Sequence, residues 1–386
     1  MDFKSLVKHK KTLRIVFFWW LSLMVIAIIA MKVLPFRPTF PYWDTILSKL
    51  SPYQFIWHWA NFDGPHYLTI ANEGYLKTNY IQAYFPLYPV LTGILGKIFS
   101  NTLAAGLVIS YTSFILAVIV FKKIIRLEKL DKLKISPFIF LLLFPTSFYF
   151  ISLYSESLFL LLSLLSFLYM LRKKWFLSAI FISLASGTRL VGIFIVPALL
   201  WEYFKSQPKK EKKNKKVLVK AAFLSIVSIL GFVIYSLYLN NHFDDPFYFA
   251  SVQNAFGASR QTDKLILLYQ VVWRYIKMIL TMDRTSLMFY TIVQEFVLSI
   301  FALFVLLWGV IKKVRTSFLI YGFLSFILPT LTGNFSSMPR YLALIFPIYF
   351  ILARIKSKKL KLFILSLSSI LLVVNTALFL RGVWIS

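Results

Sequence analysis

Long apolar blocks alternate with short polar breaks along this chain, and the spacing of the breaks predicts its elements. A helix needs roughly 20 apolar residues to cross a bilayer. About eleven segments read this way, at about 15–34, 102–121, 136–152, 155–171, two sharing 175–203, then 217–239, 286–311, 317–333, 340–353 and 362–380. The pair within 175–203 is short for two crossings. Ser186-Gly187, just before Arg189, predicts a break there, and interrupted helices are tolerated where they line a cavity. Pro86 to Phe99 is apolar but short, and reads as a helix lying along or dipping into one leaflet. The run at 15–34 is too long for the apolar core of a signal peptide and no small-residue cleavage site follows it, so it reads as a retained first helix.

Charge then orients these spans. The formal net charge is +29 and 59% of residues are hydrophobic. The lysines and arginines gather in short runs: Lys4 to Arg14, Lys122 to Lys134, Arg172 to Lys174, Lys205 to Lys216, Lys312 to Arg315 and Arg354 to Lys361. With about eleven spans all these runs fall on one side, which is the positive-inside pattern and puts the N-terminus in the cytoplasm. Topology therefore accounts for the charge, and no nucleic-acid partner is expected. The run at 205–216 reads as a cytoplasmic loop, to which an anionic-lipid contact could be added. Two large outer segments remain, 35–101 and 240–284, with outer turns at FPTSFYFISLYSES and GNFSSMPRY. The expectation is one all-α, multi-pass domain over 1–386 in the cell membrane. Cysteine is absent, which excludes disulfides and thiolate sites, and the four histidines are too scattered to suggest zinc.

The acidic residues are few, 14 in all. Asp44, Asp63, Glu73, Glu156, Asp244, Asp245, Asp263 and Asp283 fall on the outer side, and Glu295 alone lies well inside a span. Chemistry is therefore expected on the outer face. Asp63 precedes Gly64-Pro65, a pairing that fixes a tight turn. It is either an aimed carboxylate or the cap of a helix beginning near His66. His66 lies three residues on, as a phosphate ligand or a satisfied interfacial histidine. Glu73 could bind hydroxyls or brace the loop, and Tyr84 and Tyr88 read as shaping its second half. Tyr154, Ser155 and Glu156 sit at the outer end of a hairpin, where the glutamate either binds substrate or favours a helix dipole. Arg189 is an isolated cation in an apolar segment, a functional candidate by default. It would take phosphate through its planar fork or pair with Glu156 or Glu295. Arg340 is a second phosphate candidate or an interface anchor. Gln253 is a candidate sugar or acceptor ligand. Asp244-Asp245 lacks an evident third metal ligand.

FDGPHYLTIANEGY followed by AYFPLYP resembles the first-loop motif of the mannosyltransferases that add the second mannose in GPI-anchor synthesis, and of their prokaryotic relatives in the GT-C superfamily. FPTSFYFISLYSESLF, ASGTRLVG, DPFYFASVQNAFG and MPRY are similar to further segments of that family. The family's usual Trp before the loop aspartate is Phe62 here, and the Trp after Gln253 is Phe256. The resemblance implies a GT-C-type fold with membrane-parallel helices in the first loop. It implies a metal-independent, inverting glycosyltransferase without a cofactor, taking a hexose, mannose by resemblance, from a polyprenyl-phosphate donor to a lipid-linked or surface glycan acceptor. Asp63 would be the general base. Arg189, Arg340 and His66 would bind donor phosphate, and Glu156, Tyr154, Ser155, Gln253 and Glu73 sugar or acceptor. Asp63→Asn is expected to abolish transfer while leaving donor binding largely intact. Two other readings stand beside this one. A lipid or glycolipid transporter would show internal repeats and a midplane site, and a structural membrane subunit would leave the motifs without purpose.

Overall fold

The computed structural model describes residues 10–253 and 266–385. Every regular element among them is helical. In chain order these include α1 (Lys10–Val33), α2 (Gly64–Glu73), α3 (Leu87–Phe99), α4 (Thr102–Leu127), α5 (Pro137–Leu142), α6 (Glu156–Leu171) and α7 (Trp175–Ser186). They continue with α8 (Ile195–Ser206), α9 (Lys215–Phe243), α10 (Leu268–Thr281), α11 (Leu287–Ile311), α12 (Thr316–Thr330), α13 (Met338–Leu342), α14 (Pro347–Ala353) and α15 (Lys358–Leu380). Five of them, α1, α4, α9, α11 and α15, are long and apolar enough to cross a membrane, and α3, α6, α7 and α12 are shorter apolar helices. The chain therefore reads as an integral membrane protein.

Side-chain distribution separates lipid-facing helices from the core. α1, α9 and α15 leave Phe17, Phe18, Ile226, Ile234, Phe363 and Ile370 exposed, as suits helices whose outer face meets hydrocarbon. α6 is apolar all round and buried almost throughout, the pattern of a helix enclosed by others. It packs between α4 and α7, and α14 is buried along its whole length.

Proline divides two of the expected spans. The segment at 136–152 is α5, then a turn through Pro145, then a short 3-10 helix Ser147–Ile151. The segment at 340–353 is two short helices, α13 and α14, separated just before Pro347. Neither is one continuous helix, because proline lacks the N–H for the helical bond to the preceding turn; Phe346 itself, just before Pro347, keeps a helical conformation (φ −53°, ψ −26°). The break expected at Ser186-Gly187 is present. α7 ends at Ser186, Arg189 is extended (φ −155°, ψ 142°), and a 3-10 turn Leu190–Phe194 leads into α8.

The middle of α9 holds that break in place. Gly231 N–H donates to Ser183 Oγ at 3.0 Å, and Phe232 N–H donates to Ser186 Oγ at 3.2 Å. A Cβ on Gly231 would lie 2.0 Å from the Ser183 carbonyl oxygen. Gly231→Ala therefore forces α9 away from the break. It should destabilise the protein by about 1–3 kcal/mol, read as a lowered midpoint of thermal unfolding in detergent; an unchanged midpoint would mean that the two helices part without cost.

Among the described residues, charged groups are drawn together at two places. At one, Arg315 Nε pairs with Glu128 at 2.7 Å and its Nη1 with Glu202 at 3.2 Å, while Ser317 Oγ donates to Glu202 at 2.7 Å. The other is built around Asp63. Residues 254–265, including Asp263 and Phe256, and the basic residues Lys4 and Lys8 lie outside the described residues.

Candidate functional site

The turn that carries Asp63 is fixed on every side. Phe62 adopts a left-handed conformation (φ +66°), which a bulky residue holds only where surrounding structure imposes it. Its ring is enclosed by Phe40, Phe379 and Trp384, with centroids 4.6, 5.7 and 5.0 Å away. A Cβ at Gly64 would meet Ala60 Cβ at 2.8 Å, so the close approach requires glycine there. Tyr154 knits the turn to the hairpin opposite: its hydroxyl donates to the Asn61 carbonyl at 2.7 Å and accepts from Asp63 N–H at 3.1 Å. Asn61 Nδ2 donates in turn to the Phe379 carbonyl at 2.8 Å.

Asp63 stands at the N-cap of α2, yet its side chain makes no capping bond. Its carboxylate is committed elsewhere. Arg340 Nη1 pairs with Oδ2 at 2.5 Å, and the Tyr84 hydroxyl donates to Oδ1 at 3.1 Å. Burial pushes the Asp63 carboxyl up, but the Arg340 guanidinium, helped by His66 and the Tyr84 hydroxyl, outweighs it and holds the group below the usual carboxylate range.

Arg340 is aimed by a similar device. Ser337, which precedes α13, is also left-handed (φ +66°), and its N–H donates to Glu295 Oε1 at 3.3 Å. The Tyr275 hydroxyl donates to Glu295 Oε2 at 2.5 Å and accepts from Phe335 N–H at 3.1 Å. The carboxylate inside α11 thus pins the turn from which Arg340 emerges. Tyr149, Tyr154 and Tyr341 surround the guanidinium, with ring centroids 5.6, 5.4 and 5.5 Å from its central carbon. Arg340 Nε lies 3.2 Å from Glu156 Oε1 as an ion pair, without hydrogen-bond geometry.

Glu156 is the hinge between the two arginines. It is fully buried at the start of α6, and Arg189 Nη1 donates to its Oε1 at 2.6 Å and to Ser155 Oγ at 3.2 Å. Tyr341 lies against both guanidiniums, 5.1 Å from Arg189 and 5.5 Å from Arg340. Two carboxylates and two guanidiniums are thereby compensated in a setting where an unpaired charge would be costly.

Asp63, His66, Tyr84, Ser155, Arg189, Gln253 and Arg340 all line one cavity of about 1270 Å³. That exceeds the ~300–1,000 Å³ of an ordinary small-molecule site. Its walls turn apolar away from the charges, with Phe85, Leu190, Val191, Met278, Ile292 and Leu328 among the lining residues. His66 stacks on Tyr84 at 5.2 Å. Burial lowers its pKa against the pull of Asp63, so at neutral pH it offers a neutral imidazole, not a cation.

Three expected ligands stand elsewhere. Tyr154 and Glu156 are fully buried behind Ser155 and do not line the cavity; one holds backbone and the other holds arginines. Glu73 is exposed at the far end of α2, outside the cavity. Asp245 accepts from Phe247 N–H and Ser251 Oγ at 2.8 and 3.0 Å, closing its own turn. In the sequence Tyr84 reads only as a loop former, Tyr275 is unmarked, and Glu295, the acid inside a span and a possible partner of Arg189, holds the Ser337 turn. An intramembrane acid was the available signal for Glu295; nothing local marks Tyr84.

Fold and site together define an all-helical membrane protein with a charged, partly apolar cavity beside an aspartate turn. No protein-family model, curated protein or solved structure matches the chain.

Proposed function

We propose that the protein is a GT-C-type glycosyltransferase with about eleven spans, its site on the extracytoplasmic face and its N-terminus in the cytoplasm. It moves a hexose, mannose by resemblance, from a polyprenyl-phosphate carrier to a hydroxyl of a lipid-linked or surface glycan. The observation that carries this reading is the Asp63 carboxylate on the same cavity wall as Arg189 and Arg340. Asp63 takes the proton of the acceptor hydroxyl, and that oxygen bonds to the anomeric carbon from the face opposite the phosphate. The bond from that carbon to the phosphate oxygen breaks, and polyprenyl phosphate leaves with the electron pair. The guanidiniums stabilise the charge that gathers on it. A monophosphate leaving group has no pyrophosphate to bridge, so the reading calls for no metal. The apolar walls give the prenyl chain a place to lie.

Two further observations support the topology and the class. Glu128, Glu202 and Arg315, all assigned to the cytoplasmic side by charge pattern, meet in one cluster. Asp63, Glu156, Arg189 and Arg340 meet in the other. Convergence of Asp63, Arg189 and Arg340 on one cavity supports transfer over transport. The direct test incubates purified protein in detergent with a panel of polyprenyl-phosphate hexoses and follows sugar release; no turnover of any of them, with and without candidate acceptors, would remove the reading.

The pH dependence has a definite sign. A base held below the usual carboxylate range stays ionised through mildly acidic pH. kcat/KM, which reports the free enzyme, should therefore be lost only as pH falls through that lowered value. The Tyr84 hydroxyl helps hold it down. Tyr84→Phe should move the acid limb of kcat/KM upward, because the ionised carboxylate loses a hydrogen bond that favours it. An unmoved limb would separate Tyr84 from the base.

A further inference from the structure

The ion pair between Asp63 and Arg340 is the wrong partnership for a base about to act. Both carboxylate oxygens are engaged, Oδ2 by the guanidinium and Oδ1 by Tyr84. A guanidinium at 2.5 Å favours the ionised carboxylate and so weakens its pull on a proton. Arg340 also commits little of its capacity. Of its five N–H donors, the only hydrogen bond made among the described residues is the one from Nη1 to Asp63. Arg189 differs, being tied to the fully buried Glu156 and to Ser155. Both cations pair with the buried Glu156, but only Arg340 is also attached to the reactive group itself.

Charge in the proposed reaction moves in one direction. When Asp63 takes the hydroxyl proton, its charge goes from −1 to zero. When the sugar–phosphate bond breaks, the carrier phosphate goes from a singly charged diester to a monoester with about one further negative charge. One negative charge has in effect passed from Asp63 to the phosphate, in a cavity whose wall carries both Asp63 and Arg340. A planar, multi-donor cation follows such a charge, and phosphate oxygens match its fork.

We infer that Arg340 changes partners during turnover, from the Asp63 carboxylate in the resting site to the phosphate of the lipid carrier, so that Asp63 and the phosphate compete for one guanidinium. This rests on the lipid-phosphate donor reading. The exchange keeps Asp63 a poor base until a phosphate is present to draw Arg340 away. Base strength and leaving-group stabilisation then rise together. Arg189 stays in place throughout, as the fixed half of the phosphate clamp.

The exchange has a consequence that ordinary active-site disruption lacks: removing the charge of Asp63 should improve binding of the carrier. Asp63→Asn mimics the protonated base. It should bind a radiolabelled short-chain polyprenyl monophosphate about tenfold more tightly than the parent protein in equilibrium dialysis. The matching polyprenol should bind both proteins alike, and inorganic phosphate should show the same preference for the variant at lower affinity. A double-mutant cycle separates exchange from a general change in local charge. In an Arg340→Gln background, Asp63→Asn should bring no further gain. Thermal unfolding of each variant in the same detergent checks that it is folded. Equal or weaker binding by Asp63→Asn overturns the exchange, as does a gain that persists in the Arg340→Gln background; both leave the donor reading standing. Failure of parent and variant alike to prefer polyprenyl monophosphate over polyprenol would overturn the lipid-phosphate reading itself.

Discussion

Asp63→Asn should lower the rate of sugar transfer by about 10²–10⁴-fold, the usual contribution of a positioned general base. The substitution preserves shape, and the amide oxygen can still accept from Tyr84. Asn61 to Gly64 remain held by Tyr154 and by the carbonyl of Phe379, so the turn should survive. What disappears is a group able to take the acceptor proton. The measurement is release of polyprenyl phosphate at saturating donor, with thermal unfolding as a control for folding. A variant within tenfold of the parent would take the base role from this residue.

Arg340→Gln should be nearly as severe and should act on two quantities at once. Arg340 is shared between Asp63 and Glu156, and its loss leaves the Asp63 carboxylate in a poorly hydrated wall without its cation. Breaking such a pair from one side typically costs about 3–5 kcal/mol. The midpoint of thermal unfolding should fall accordingly. Transfer should fall by about 10²–10³-fold, as when a preorganised donor to a developing anion is removed. Arg340→Lys should restore little of either, because a point charge cannot reach two carboxylates within the cage of tyrosines that a planar fork occupies. Full activity in Arg340→Gln would remove this guanidinium from the site. Normal activity with lowered stability would reduce it to a structural tie.

What was legible in the sequence was local. Asp63 could be found because the devices that aim it, Phe62, Gly64 and Pro65, are its neighbours. The interruption before Arg189 was visible in a glycine next to a small polar residue, inside a segment too short for two crossings. The five long apolar helices were visible in composition alone. The partners of these groups were not, since the bond from Tyr84 to Asp63 and the burial of Glu156 behind Ser155 depend on how distant segments dock. Glu156 illustrates the difficulty. A carboxylate at a helix start reads equally as ligand, dipole partner or anchor, and only the approach of Arg189 and Arg340 decides among them. Pro145 and Pro347 were plain in the sequence, but hydropathy weighs composition over a window and passes across a proline. Two interrupted segments therefore read as continuous helices.

The order in which the chain is made gives the Asp63 turn an unusual history. Its ion-pair partner lies 277 residues further on, and the carbonyl that holds Asn61 lies 318 residues further on. At ribosomal speeds of about 5–20 residues per second, the turn waits some tens of seconds before the segments that complete it emerge. Throughout that wait a carboxylate destined for a secluded wall has no arginine beside it, and its enclosing rings, Phe379 and Trp384, do not yet exist. The nascent turn must therefore stay hydrated until the closing helix arrives. Slowing elongation late in the message should lengthen a protease-sensitive phase at this one bend.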